Sequence, residues 1–94
     1  MTDTSGTDRR EADGITATYA ETDRERVLAF EREGTAVEVA QNRDGYAMVA
    51  VRDAVEGELE RYYGLDMALD HVGELLGVSP SSLPVPDAAR DMGM

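Results

Sequence analysis

The sequence predicts a two-layer α+β domain on three observations. Apolar residues alternate with period two from residue 15 to 52, turn-forming residues interrupt that alternation at regular intervals, and the period becomes helical after residue 53. Four segments, ITATYAE, RVLAFER, AVEVAQN and YAMVAVR, read as the strands of a four-stranded antiparallel β-meander over residues 15–52. One face of that sheet is expected to be covered by one or two C-terminal helices, over residues 54–63 and 67–76.

Residues 1–13 carry no apolar periodicity and read as a disordered or loosely attached acidic arm. The domain proper is then expected to span residues 14–78, with its register set by three turns. Treating Asp23-Arg24 as a two-residue turn places Tyr19 opposite Leu28 and Ala17 opposite Phe30. Glu33-Gly34 as a type I′ turn places Phe30 opposite Val37 and Leu28 opposite Val39. Asn42-Arg43-Asp44-Gly45, read as a three-residue loop with a glycine bulge, places Val39 opposite Val49 and Val37 opposite Val51. These registers send Ile15, Tyr19, Leu28, Phe30, Val37, Val39, Val49 and Val51 to one inner face, and a slip by one residue in any strand would undo it.

After the sheet, Asp53 and Glu56 have the spacing of a capping box, and Val55, Leu59 and Tyr62 fall on one helical stripe that Gly64 would end. Asp66 is placed to cap a second helix, with Leu69, Val72 and Leu76 as its apolar stripe and Gly77 as its stop. A single helix kinked near Gly64 is the alternative. Residues 79–94 hold all three prolines of the chain and read as an extended tail along the surface.

Composition bounds the function more than it specifies it. The 94 residues hold 20 acidic and 9 basic side chains, for a net charge of −11, and none of the basic residues is Lys. Acidity that dense is tolerable where salt shortens the Debye length to about 3 Å, as at molar ionic strength. The chain therefore reads as halophilic, its acidity an adaptation to salt. Disulfides and thiolate chemistry are excluded, because there is no Cys. With no run of about 18 apolar residues and no apolar leader in the first 14 positions, neither a membrane span nor a signal peptide is expected, and the cytoplasm is the expected location.

No catalytic motif, metal site or cofactor site emerges. His71 is the single histidine, and although Glu74 lies three positions on, two ligands do not make a metal site. No serine sits in a nucleophile elbow and the glycines form neither a dinucleotide fingerprint nor a P-loop. The segment LDHVGELLGVSPSSL, residues 69–83, is similar to the helix-turn-helix of DNA-binding proteins, with Val72, Gly73, Leu76, Gly77, Val78 and Leu83 at the matching positions. That resemblance implies a DNA-binding regulator using residues 66–83. Against it, Pro84 and Pro86 would interrupt the recognition helix, and no Arg lies between Arg61 and Arg90 to neutralise phosphate.

The outer sheet face is the distinctive surface. It presents Ala20, Val27, Ala29, Ala36, Ala40, Tyr46, Met48 and Ala50, with Thr16, Thr18, Glu31, Glu38 and Arg52 among them, which is apolar for a face turned to solvent. The expected function is an interaction or structural module, a homodimer or a small subunit of a protein partner. Its interface would be built on Val27, Ala29, Ala40, Tyr46 and Met48. A third reading is a small-molecule binder or enzyme with a pocket between helices and sheet, Tyr62, Tyr63 and His71 at its mouth.

Overall fold

Short alternating segments joined by tight turns leave each strand beside its predecessor, and the sheet grows in chain order. The computed structural model of the chain describes residues 8–43, 48–53 and 55–93. Its strands are β1 (Asp8–Ala12), β2 (Ile15–Glu21), β3 (Glu25–Arg32), β4 (Thr35–Asn42), β5 (Val49–Asp53) and β6 (Gly57–Tyr62). They pair antiparallel in the order β1-β2-β3-β4-β5-β6, and one helix, α1 (Leu65–Leu76), packs on the sheet. The two-layer α+β arrangement stands, but the sheet has six strands and not the expected four.

Both added strands extend the edges. β1 lies within the stretch expected to be an arm, because Asp13 (φ 54°) and Gly14 (φ 78°) form a two-residue turn with both residues left-handed. Asp-Gly is the favoured pair for that type I′ geometry, since its twist matches that of the strands it joins. β6 replaces the helix expected over 54–63. Asp53 does act as a cap: its carboxylate accepts the N–H groups of Val55 at 2.7 Å and Glu56 at 3.2 Å. The same two bonds serve a turn as well as a helix start. Gly57, at φ +81°, decides between them, because its left-handed backbone pairs with Asp53 and reverses the chain onto β5. Val55 is consequently exposed at the turn, and Leu59 lies where the β5–β6 register shifts at a bulge.

Two of the three expected registers hold. Tyr19 faces Leu28, and Phe30 faces Val37 across the Glu33-Gly34 turn. The third is displaced by two residues: Val39 faces Val51, not Val49, and Val37 faces Asp53. An even displacement preserves the face, so the eight residues expected inside are all buried.

α1 ends, as expected, at Gly77, which is left-handed at φ 75°. Ala68, Val72 and Leu76 are buried against the sheet, while Leu69 is half-buried beside them. The residue at the start of the helix is Gly64, not Asp66, which lies in the first turn. No basic residue stands in the last turn, and the C-terminal carbonyls are met from the sheet, where Arg32 on β3 donates to the Leu76 carbonyl at 2.9 Å. Beyond the helix the chain makes 3-10 turns at Pro80–Ser82 and Asp87–Ala89 and buries Leu83, Pro86, Ala89 and Met92. Arg26 on β3 fastens this tail, donating to the Ala88 carbonyl at 3.0 Å and to the Asp91 carboxylate. Its Nε donates to the hydroxyl of the buried Tyr19 at 2.7 Å.

Candidate functional site

With helix and tail both on the inner face, no helix or tail segment among the described residues covers the other side of the sheet. Register assigns that side directly. One cross-strand row runs Ala20, Val27, Ala40, Ala50, Arg61, and the adjacent row runs Arg9, Thr18, Ala29, Glu38, Arg52, Glu58. Four of the five expected interface residues are described. Val27, Ala29 and Met48 are half-buried and Ala40 is buried; Tyr46 falls outside the described residues.

Ala40 is only 5% exposed although no layer lies above it. The cover is an ion pair. Arg52 on β5 reaches across β4, donating through its two terminal nitrogens to both Glu25 oxygens at 3.2 and 3.1 Å, and it lies 2.6 Å from Glu38. Burial works against the Arg52 charge, but the hydrogen bonds and charges of Glu25 and Glu38 outweigh it and hold its pKa above the ordinary arginine value. The guanidinium is therefore a fixed cation clamped by two carboxylates. Its Nε is buried without a hydrogen-bond partner, which is unusual for an arginine atom. Shallow hollows of about 300 and 310 Å³ flank this bridge, the second lined by Ala40, Asn42, Met48, Ala50 and Arg61.

At the rim, Arg61 binds Glu58 at 2.9 and 3.1 Å and lowers the Glu58 pKa through those hydrogen bonds, while Arg9 pairs with Glu11. Each arginine on this face is thus matched to a carboxylate. The apolar row was legible in the alternation; the ion pair was not, because Glu25 and Arg52 are 27 positions apart and meet only across an intervening strand.

The residues expected at a pocket mouth divide. Tyr62 on β6 and His71 on α1 meet edge to face, with the Tyr62 hydroxyl 3.0 Å from His71 Nδ1. Burial, with Glu60 and Glu74 nearby, raises the Tyr62 pKa. Tyr63 is 78% exposed and takes no part. Among the described residues no group of three or more His, Asp or Glu is placed to hold a metal ion. In the segment similar to a helix-turn-helix, α1 is followed by the three-residue turn Pro80–Ser82, and no second helix forms.

Residues 9–94 match a family of unknown function, DUF7111. The chain belongs to that family. No curated protein and no solved structure matches it. Membership in DUF7111 thus extends over both edge strands and the tail, and all of the sheet except Asp8 at the start of β1 falls within the matched region. No helix among the described residues of this DUF7111 member is long and apolar enough to cross a membrane.

Proposed function

We propose that the chain is a protein-interaction module whose working surface is the outer face of its sheet. The observation that carries this reading is the row Ala20, Val27, Ala40 and Ala50, flanked by Ala29 and Met48, on a face that no element among the described residues covers. Small apolar side chains on a sheet face suit close packing against another surface, and contiguous apolar patches mark interaction sites. The matched charges on this face fit the same role, because a clamped Arg52 enters an interface with its carboxylates already in place. The setting we infer is a cytoplasm of molar salt, on the lack of Lys and the net charge of −11.

The lack of cysteine makes a direct test simple. A single cysteine at Ala50 (A50C) reports on the face, and one at the exposed Ser81 (S81C) serves as control. The thiol at position 50 should react with a maleimide at least tenfold more slowly in an extract of the producing cells than in dilute purified protein, whereas that at 81 should react alike in both. Equal rates at position 50 under both conditions refute the reading.

A further inference from the structure

We infer that the occupant of the outer face is a second copy of this chain, seated about a two-fold axis that runs parallel to the strands between β3 and β4. The inference rests on the interaction reading above and names its partner. Such an axis lays β3 over β4 of the second copy, β2 over β5 and β1 over β6. In the apolar row, Val27 then meets Ala40 and Ala20 meets Ala50. In the adjacent row, Arg9 meets Glu58 and the Thr18 hydroxyl meets Arg52. Small residue lies on apolar residue along the row of Val27, Ala29 lies on the Arg52-bound Glu38 beside it, and opposite charges face one another at the rim.

The competing symmetric arrangements fail on charge or on packing. An axis across the strands lays each strand over its own copy. Placed along the row of Arg52, it sets Arg52 on Arg52 and Glu38 on Glu38; placed along the row of Val27, it sets Arg61 on Arg61. Like charges brought together in an interface are unfavourable. Placed midway between the two rows, the axis sets Arg61 on Glu58 but lays Ala40 on Glu38 and Ala50 on Arg52. Only the axis parallel to the strands packs the row of Ala20, Val27, Ala40 and Ala50 on itself without setting like charges together.

Area and salt agree with a second copy. Six strands about 4.8 Å apart and about six residues long give a footprint of roughly 570 Å² in projection, and more as accessible surface. Stable interfaces bury about 600–1,000 Å² on each side. Two chains of net charge −11 repel at low salt, but at a Debye length of about 3 Å that long-range repulsion is screened while contacts across the face persist.

The test uses the full chain in 2 M KCl, followed by light scattering at concentrations from the micromolar to the millimolar range. The unsubstituted chain should be a dimer. Val27→Glu, which puts a carboxylate on the central row but leaves the inner core untouched, should raise the dissociation constant at least tenfold with the far-ultraviolet circular dichroism unchanged. Orientation is read from a spin label on Arg9→Cys, at concentrations where light scattering shows the labelled chain still dimeric, because the substitution removes the Arg9 contacts to Glu11 and, across the interface, to Glu58. An axis parallel to the strands separates the two labels by about 26 Å, five strand spacings by one sheet spacing, whereas an axis across the strands brings them to about 10–17 Å, depending on the row it follows. A dimer indifferent to Val27→Glu, or labels about 17 Å apart or closer, overturns the inference. A monomer at all concentrations whose position-50 cysteine is still protected in extract overturns the second copy but leaves the interaction reading; a monomer with a freely reactive position 50 removes both.

Discussion

Replacing Gly73 with alanine sets helix propensity against packing, and the structure decides the winner. In an exposed helix interior, Gly→Ala stabilises by about 1 kcal/mol. Gly73 is instead buried on α1 where the chain returns after the C-cap. A Cβ there would lie 2.7 Å from the Val78 carbonyl oxygen and 3.2 Å from the Pro80 nitrogen. Both are backbone atoms and cannot rotate away. The Val78 N–H donates to the Gly73 carbonyl at 2.9 Å, so a displacement that relieves the clash also strains the bond that closes the helix. Overpacking costs about 1–3 kcal/mol, and a weakened hydrogen bond adds about 0.5–1.5 kcal/mol. After the propensity gain is subtracted, the net is a loss of about 0.5–3.5 kcal/mol. For a domain of this size that lowers Tm by roughly 4–8 °C per kcal/mol. Thermal unfolding followed by circular dichroism at constant protein and salt concentration measures it. A Tm equal to or above that of the parent would refute the close approach of tail and helix.

Three further outcomes follow from contacts elsewhere. The hydrogen bond from Arg26 holds the Asp91 carboxyl below its ordinary value of 3.8, so the stability it contributes is complete above that value and lost as pH falls through the depressed one. Because Asp91 is largely exposed the effect is small, and it is read as the difference in urea midpoint between the parent and Asp91→Asn from pH 5 to pH 2, which should shrink towards the acid end. Arg32→Met removes the donor to the Leu76 carbonyl from a helix whose last turn has no basic residue, and should cost about 1 kcal/mol by urea titration. Gly14→Val forces a branched residue to φ +78° at a cost of about 1–2 kcal/mol; amides of β1 should lose hydrogen-exchange protection while those of β3 and β4 keep it.

The central strands were legible because they carry a repeated, redundant signal. Period-two alternation and turn residues agree on which side Leu28, Phe30, Val37 and Val39 face, and burial on that side makes the pattern obligatory. The edges carry no such redundancy. β1 reads DRREA, polar at nearly every position, because an edge strand is stabilised by one neighbour and protected by charge. Its one local signal, Asp13-Gly14, was present in the sequence but had an apolar run on one side only, from Ile15 onward. GELERY fits a helical stripe as well as a strand, and Asp53 makes the same bonds in either; the outcome turned on the backbone of Gly57 and the free edge of β5.

The outer face divides in the same way. Alternation alone dictates that Val27, Ala29, Ala40 and Ala50 share a side, since side-chain direction along a strand is a local property of the backbone. Two things about that side are not local. The helix and the proline-bearing tail both settle on the inner face, where Leu83, Ala89 and Met92 find apolar partners, and so leave the outer face bare. Arg52 crosses a whole strand to reach Glu25, a pairing set by which strands are neighbours and by a register two residues from the one the turn suggested. Periodicity is written residue by residue, whereas cover and charge pairing depend on segments distant in the chain meeting in space, which packing alone arranges.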